Sequence, residues 1–161
     1  MASQQPIDLL RQGVNAWNVW RQENPTSEPD LNEADLSGID LSRANLSRVN
    51  LSGTKMSGAT LMNADLSWSS LVGVDLSEAN LRGANLSGAD LSAANLTLAD
   101  LSNADLSRAT LIDTSLIEAD LSEANLADAD ITGAFLSLAN LRGALVTQEQ
   151  LKKARSLDDI P

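Results

Sequence analysis

The chain has 161 residues, 43 % of them apolar, carries a formal net charge of −11, and contains no Cys, His or Tyr. That composition excludes a disulfide framework, thiol chemistry and any Ser-His or Cys-His pair, and it reduces the usual metal ligands to carboxylates. No GxxxxGK(S/T) or GxGxxG loop and no GGxGxD nonapeptide is present, so the expectation is a non-enzymatic protein with no catalytic residue, cofactor or metal. The opening MASQQPIDLLRQG is polar, which predicts neither a leader nor a membrane span and places the protein in the cytoplasm.

The first segment, 1–29, reads as a helical cap and linker. Ile7, Leu10, Val14, Trp17 and Trp20 recur at spacings of three and four, which predicts one helix over 7–22 with a single apolar face. Its expected role is a lid over Leu31 and Leu36, because a stack of chain left open at its end exposes apolar side chains and unpaired backbone. With only Arg11 and Arg21 as positive charges, a membrane-surface role is disfavoured. Asn24, Pro25 and Pro29 end the helix and lead into the next segment.

From Leu31 to Val146 the chain repeats every five residues without a slip. Stepping by five gives 24 sites, of which 21 are Leu and the others Met56, Ile131 and Val146. Two residues earlier, a column from 34 to 144 holds 17 Ala among small or β-branched residues. Consecutive Leu would lie about 140° apart on an α-helix and alternate between faces on a strand, so neither element buries them all. A chain that bends once per pentapeptide and stacks on itself does, which makes the fold a solenoid with Leu36, Leu41, Leu46, Leu66, Leu86, Leu91, Leu106 and Leu126 in an inward ladder. Eight of the nine Gly stand two residues after the Leu, marking a turn position that favours positive φ. The position directly before the Leu is filled interchangeably by Asp and Asn, which predicts a local backbone hydrogen-bonding role rather than a charge role.

Runs such as ANLSGADLSAANLTLADLSNADLS, 84–107, resemble the pentapeptide repeat family, and the resemblance covers roughly three quarters of the chain. It implies an all-β solenoid: a right-handed quadrilateral β-helix of about six coils over 30–146, with four pentapeptides per coil and short helical caps at both ends. At about 4.8 Å per layer such a rod is roughly 29 Å long. The segment GVNAWNVWRQENPTSEPDLNEADL is similar to the N-terminal module of many bacterial members.

The last segment, 147–161, reads as a capping helix and tail. Thr147 and Gln150 have capping-box spacing, predicting a helix over 148 to about 155 with Leu151 facing the last coil and Lys152, Lys153 and Arg155 near its C-terminal end. Leu157 and Ile160 are expected to fold back.

Two surface features bear on function. Residues 30–146 hold 16 acidic and 6 basic side chains, and the resemblance implies one use for them, since some quinolone-resistance members imitate duplex DNA and bind gyrase. Duplex DNA would show about 17 charges over such a rod. Here the charges are scattered, with Asp35, Asp75 and Glu118 on the second face and Asp40, Asp100, Asp120 and Glu123 on the third. Those mimics also often place Phe at the centre of the repeat and carry a C-terminal dimerisation module. Here the only Phe is Phe135, directly before a Leu, and no insertion breaks the register.

The second feature is apolar. Folding the sequence modulo twenty places Leu98, Ile117, Phe135 and Leu138 on the second face of coils four to six, with Ile112 near the adjoining corner. The alternatives are incidental exposure, cover by the C-terminal tail, and burial by a protein partner, a second copy included. Trp68 falls in the outward column of Arg48, where a cation–π stack is expected. The reading is a non-enzymatic protein-binding scaffold presenting flat faces. The alternatives are an acidic DNA mimic acting on gyrase or another topoisomerase, and a structural module for a neighbouring effector. Direct nucleic-acid binding is not expected from the charge sign.

Overall fold

The computed structural model describes residues 4–155. Its regular helices are short: α1 (Gln4–Arg11), α2 (Val14–Glu23) and α3 (Gln148–Leu151). Between them, isolated parallel bridges join residues twenty apart, from Asp30 with Asn50 to Asn125 with Leu145. Twenty residues are four pentapeptides, so each repeat forms one side of a four-sided coil. The expected β-structure takes the form of single-residue bridges, because a turn consumes the rest of each repeat.

One repeat, Asn85–Ala89, shows where every backbone N–H goes. Leu86 donates to the Asp105 carbonyl (2.7 Å) and Gly88 to that of Ser107 (2.9 Å), both one coil ahead. Asn85 donates back to Ala64 (2.9 Å), and Ala89 closes a turn onto Leu86 (3.0 Å). The Ser87 N–H donates to Asn85 Oδ1 (3.1 Å), and the Ser87 hydroxyl bonds the same oxygen (2.7 Å). All five N–H groups are thus satisfied, as burial of a backbone demands. The Asp/Asn column therefore serves the backbone.

The turn sets the residue at its third position. Gly38 and Gly88 lie there at φ +65 and +67, and so do fifteen non-glycine residues between Glu33 and Leu138 at φ +54 to +63. Left-handed backbone costs a residue with a Cβ about 1–2 kcal/mol, yet the stacking holds it at Ala93, Leu98 and Leu138 as it does at glycine.

Inside, the Leu ladder named above is buried to 3 % exposure or less at all eight positions, and Met56 and Ile131 take Leu sites equally well. The polar exceptions in the Ala column are buried and satisfied: Thr54 Oγ1 donates to the Leu31 carbonyl (3.0 Å), Ser69 Oγ to Leu66 (2.6 Å) and Thr114 Oγ1 to Leu91 (2.7 Å). Leu141, Ala144 and Val146, in the last turns, are only partly buried.

The helix expected over 7–22 is two helices, broken at Gly13, whose φ of +108 no residue with a Cβ adopts easily. Leu10 and Trp17 are buried, and Val14 and Trp20 are partly so. The Trp17 and Trp20 rings lie 5.6 Å apart. Side chains of α2 replace a missing coil along one stretch of the first. Trp17 Nε1 donates to Asn45 O (2.7 Å), while Asn18 accepts from Asn45 N (2.8 Å) and donates to Arg43 O (3.0 Å). Arg21, 4 % exposed, donates to Ser27 O and Ser47 O, each at 2.7 Å. Burial lowers its pKa from the ordinary arginine value, and the field of Asp65 opposes that shift.

At the other end Thr147 and Gln150 form the expected capping box. The helix stops at Leu151, one turn long rather than reaching Arg155, because the chain turns to pair again with the coil. Gly133 N–H donates to Lys153 O (2.8 Å) and Arg155 N–H to Ala134 O (2.9 Å). Gln150 Nε2 bonds the carbonyls of Leu126 (2.7 Å) and Ala129 (2.9 Å), and Leu151 packs against the core. Leu157 and Ile160 lie outside the described residues.

The ladder predicts that Leu86→Ala lowers the unfolding free energy by about 2–5 kcal/mol, whereas Ser87→Ala costs under about 1 kcal/mol. Denaturant midpoints measure both, and equal losses would contradict the inward and outward assignments. For the turn, Gly38→Ala has open space around its Cβ and should lose about 1 kcal/mol through backbone strain alone. Ala93→Gly should gain about 0.5 kcal/mol once the extra freedom of the unfolded glycine is subtracted. For the α2 edge, Arg21→Met leaves buried carbonyls without donors and should cost about 1–3 kcal/mol. Arg11→Met, at an exposed site, should stay within about 0.5 kcal/mol in the same unfolding assay.

Candidate protein interface

The turns carry the outward side chains, so the apolar candidates sit at the corners of the coil. Leu98 (51 % exposed) and Leu138 (52 %) occupy the same left-handed turn position two coils apart, with Glu118 between them. Ile117, half-buried, lies in the intervening coil, and its carbonyl accepts from Leu98 N–H at 3.0 Å. These three share one edge. Ile112, 37 % exposed, belongs to the turn that Thr114 closes onto Leu111, at the neighbouring corner. Phe135 bridges Ser115 between the two edges. It is half-buried, and the Arg155 guanidinium lies over its ring, 5.2 Å from the centroid and 3.6 Å from Asp113. The C-terminal segment thus covers one of the five residues and leaves the Leu98–Ile117–Leu138 edge bare among the described residues.

Two of the five have a local reason as well. Met62, Val72, Ile112 and Ile117 each follow, two residues back, a Thr or Ser instead of Asp or Asn. Where Thr or Ser takes the place of the Asx acceptor, the position two residues on carries an aliphatic side chain in place of Ser. Sequence reasoning passed over Leu145, 62 % exposed, which occupies the Asp/Asn column just as Phe135 does. Beside it Val146, Ala127 and Ala144 wall a depression of about 710 Å³.

The acidic groups are drawn into the scaffold. Asn residues donate Nδ2 to the Asp one coil earlier, as Asn50 to Asp30 (2.9 Å), Asn125 to Asp105 (3.0 Å) and Asn140 to Asp120 (3.0 Å). The Ser37, Ser42 and Thr132 hydroxyls, followed by the backbone N–H groups of those residues, hold the carboxyls of Asp35, Asp40 and Asp130 below their usual range. Such groups favour the folded state above the ordinary carboxylate pKa and cease to do so as pH falls through the depressed value. Two exposed ion pairs occur among the described residues, Lys152 with Glu149 and Arg155 with Asp113.

Among the described residues the ring–cation contact is that of Arg155 on Phe135, and the expected stack of Trp68 on Arg48 does not form. Trp68 instead lies on Gly88, one coil ahead. The described residues contain no cluster able to hold a metal ion and no helix long and apolar enough to cross a membrane.

Comparison with known proteins gives one family. Pentapeptide repeats match in eight copies, over 30–67, 61–97, 69–108 and 104–143. Among solved structures, the chain is similar to HetL, a pentapeptide repeat protein involved in heterocyst differentiation regulation from the cyanobacterium Nostoc sp. strain PCC 7120 (34 % identity, 81 % of this chain, TM-score 0.49). The chain spans 65 % of the HetL chain. It is also similar to the pentapeptide repeat protein Rfr23 of the cyanobacterium Cyanothece 51142 (27 % identity, 88 % of this chain and 97 % of that one, TM-score 0.49). QnrB1, a plasmid-mediated fluoroquinolone resistance protein, matches at 22 % identity over 81 % of this chain and 80 % of that one, with a TM-score of 0.42. No curated protein matches the sequence. With the repeat matched from 30 to 143 and the backbone pairing every twenty residues, the chain belongs to the pentapeptide repeat family of right-handed β-helix solenoids.

Proposed function

We propose that the protein is a non-enzymatic protein-binding scaffold, a rod of six coils capped by helical segments at both ends, whose contact surface is centred on the Leu98–Ile117–Leu138 edge. The observation that carries this reading is that edge itself: two leucines more than half exposed, flanking a third apolar residue, on a surface whose other turns carry mostly Ser, Asp, Asn, Glu, Arg and Gly. An exposed apolar cluster on a short rod is what a partner buries. Its occupant is a protein, with a second copy of the chain the first one to test. The fold leaves the outward positions free to vary while the backbone ladder is kept, so function belongs to those positions.

The acidic surface lends less support to the duplex-mimic reading. Its carboxylates accept from neighbouring Asn, Ser and Thr groups, and Arg48, Arg82, Arg108 and Arg142 interrupt it.

Ile117→Asp combined with Leu138→Asp should leave the circular dichroism spectrum unchanged, because neither side chain belongs to the Leu ladder. The double variant should lower the sedimentation mass or abolish a captured partner, since an unpaired carboxylate in an interface is costly. Unchanged mass and unchanged partner recovery with a native spectrum would falsify the assignment of this edge.

A further inference from the structure

A second surface site lies on a different corner of the rod, at Trp68. Trp68 is 59 % exposed and sits in the left-handed turn position at φ +58. A Cβ placed on Gly88 would meet three successive atoms of its six-membered ring, Cε3, Cδ2 and Cζ3, at 2.7 to 2.8 Å. Three neighbouring ring atoms at nearly equal distance require a face-on approach, since an in-plane approach to Cε3 would leave the other two much farther away. The indole therefore lies flat on the Gly88 backbone with its opposite face toward solvent. Glycine at 88 is what admits it.

Trp68 is one wall of an open groove of about 600 Å³ whose other lining residues include Glu28, Asp30, Arg48, Asn50 and Ser70. Several of these polar groups are unspent. The Trp68 indole N–H has no acceptor, and Arg48 and Glu28 have no ion-pair partner, among the described residues. Asp30 uses one carboxylate oxygen, Oδ1, for Asn32 N and Asn50 Nδ2.

We infer that this groove binds a neutral saccharide, stacking a sugar ring on the free face of Trp68. The charges select that class. A polyanion would meet Glu28 and Asp30, and a cationic peptide would meet Arg48, so each carries a like-charge contact. A hexose ring has an apolar face for the indole, and its hydroxyls both donate to the carboxylates and accept from the guanidinium and the indole N–H. A groove of this volume lies within the range of small-molecule sites. The site is independent of the Leu98–Ile117–Leu138 edge and does not rest on the scaffold reading.

The test is calorimetric titration of the full chain with cellotetraose, maltotetraose and chitotetraose, followed by the ¹H–¹⁵N signal of the Trp68 indole. At least one of the three should bind saturably and shift that signal, with affinity falling at least about tenfold in Trp68→Ala. Arg48→Met should weaken it as well, while Leu138→Ser should leave it unchanged. The fold of Trp68→Ala is checked by circular dichroism, and Trp68→Phe, which keeps an aromatic face, should retain part of the binding. Absence of saturable binding for all three sugars overturns the inference, as does equal binding by Trp68→Ala. Oligoarginine or an oligonucleotide displacing the sugar signal at Trp68 more strongly than any sugar would assign the groove to a charged partner instead.

Discussion

Everything in this structure depends on the backbone pairing of residues twenty apart. A repeat such as Asn85–Ala89 sends two N–H groups forward and one back to neighbouring coils, closes its own turn with a fourth, and satisfies the fifth through the Asn before the Leu. Because the backbone is satisfied in this way, the outward side chains other than the Asx residues and their Ser or Thr partners are released from holding the fold together. The same ladder explains why left-handed backbone is tolerated at fifteen residues that carry a Cβ: the turn is set by stacking on both sides, and an unfavourable local conformation is outweighed by the hydrogen bonds and buried Leu it permits.

A stack of this kind has two ends, and they are closed by different means. At the N-terminal end the side chains of α2 stand in for a coil, with Trp17 and Arg21 donating to carbonyls that would otherwise face an absent coil and Asn18 accepting from Asn45 N–H. Burying an arginine is costly, and it is held here by two carbonyl acceptors. At the C-terminal end the main chain itself resumes pairing at Lys153 and Arg155 after a single helical turn, while Gln150 spans two carbonyls. Lids of this sort remove the exposed edge that would invite uncontrolled stacking of one rod on another.

With the interior uniform, individuality is confined to the corners. Leu98, Ile117 and Leu138 form an apolar edge, and Trp68 forms a flat aromatic platform beside unpaired groups of both signs. The two surfaces differ in chemistry and lie in different turn columns. The carboxylates, by contrast, are largely engaged in the Asx and Asn–Asp contacts that keep coils in register. Most Asp side chains of the coil therefore have a structural role besides their charge.

Much of the fold was legible in the residues themselves. An unbroken period of five has one packing solution, and the Leu, Ala, Asx and Gly columns each announce a role that the backbone then assigns: core, close packing, acceptor and left-handed turn. The capping box at Thr147 was legible for the same reason, since it is a local bond between residues three apart. Other features were not. The break at Gly13, the burial of Arg21 and the stop of α3 at Leu151 follow from what each segment meets in the first or last coil, and no local spacing encodes that meeting. Ile117 and Leu138 could be placed on one face by counting, but whether the tail covers Phe135, and whether Trp68 leans back on Arg48 or forward on Gly88, depends on side-chain direction across coils. The sequence by itself determined the period, the core and the turn chemistry, because those are set by contacts repeated identically in every coil. Only the tertiary structure decided the ends and the surface sites, because there each contact is made once, between residues that no repeat relates.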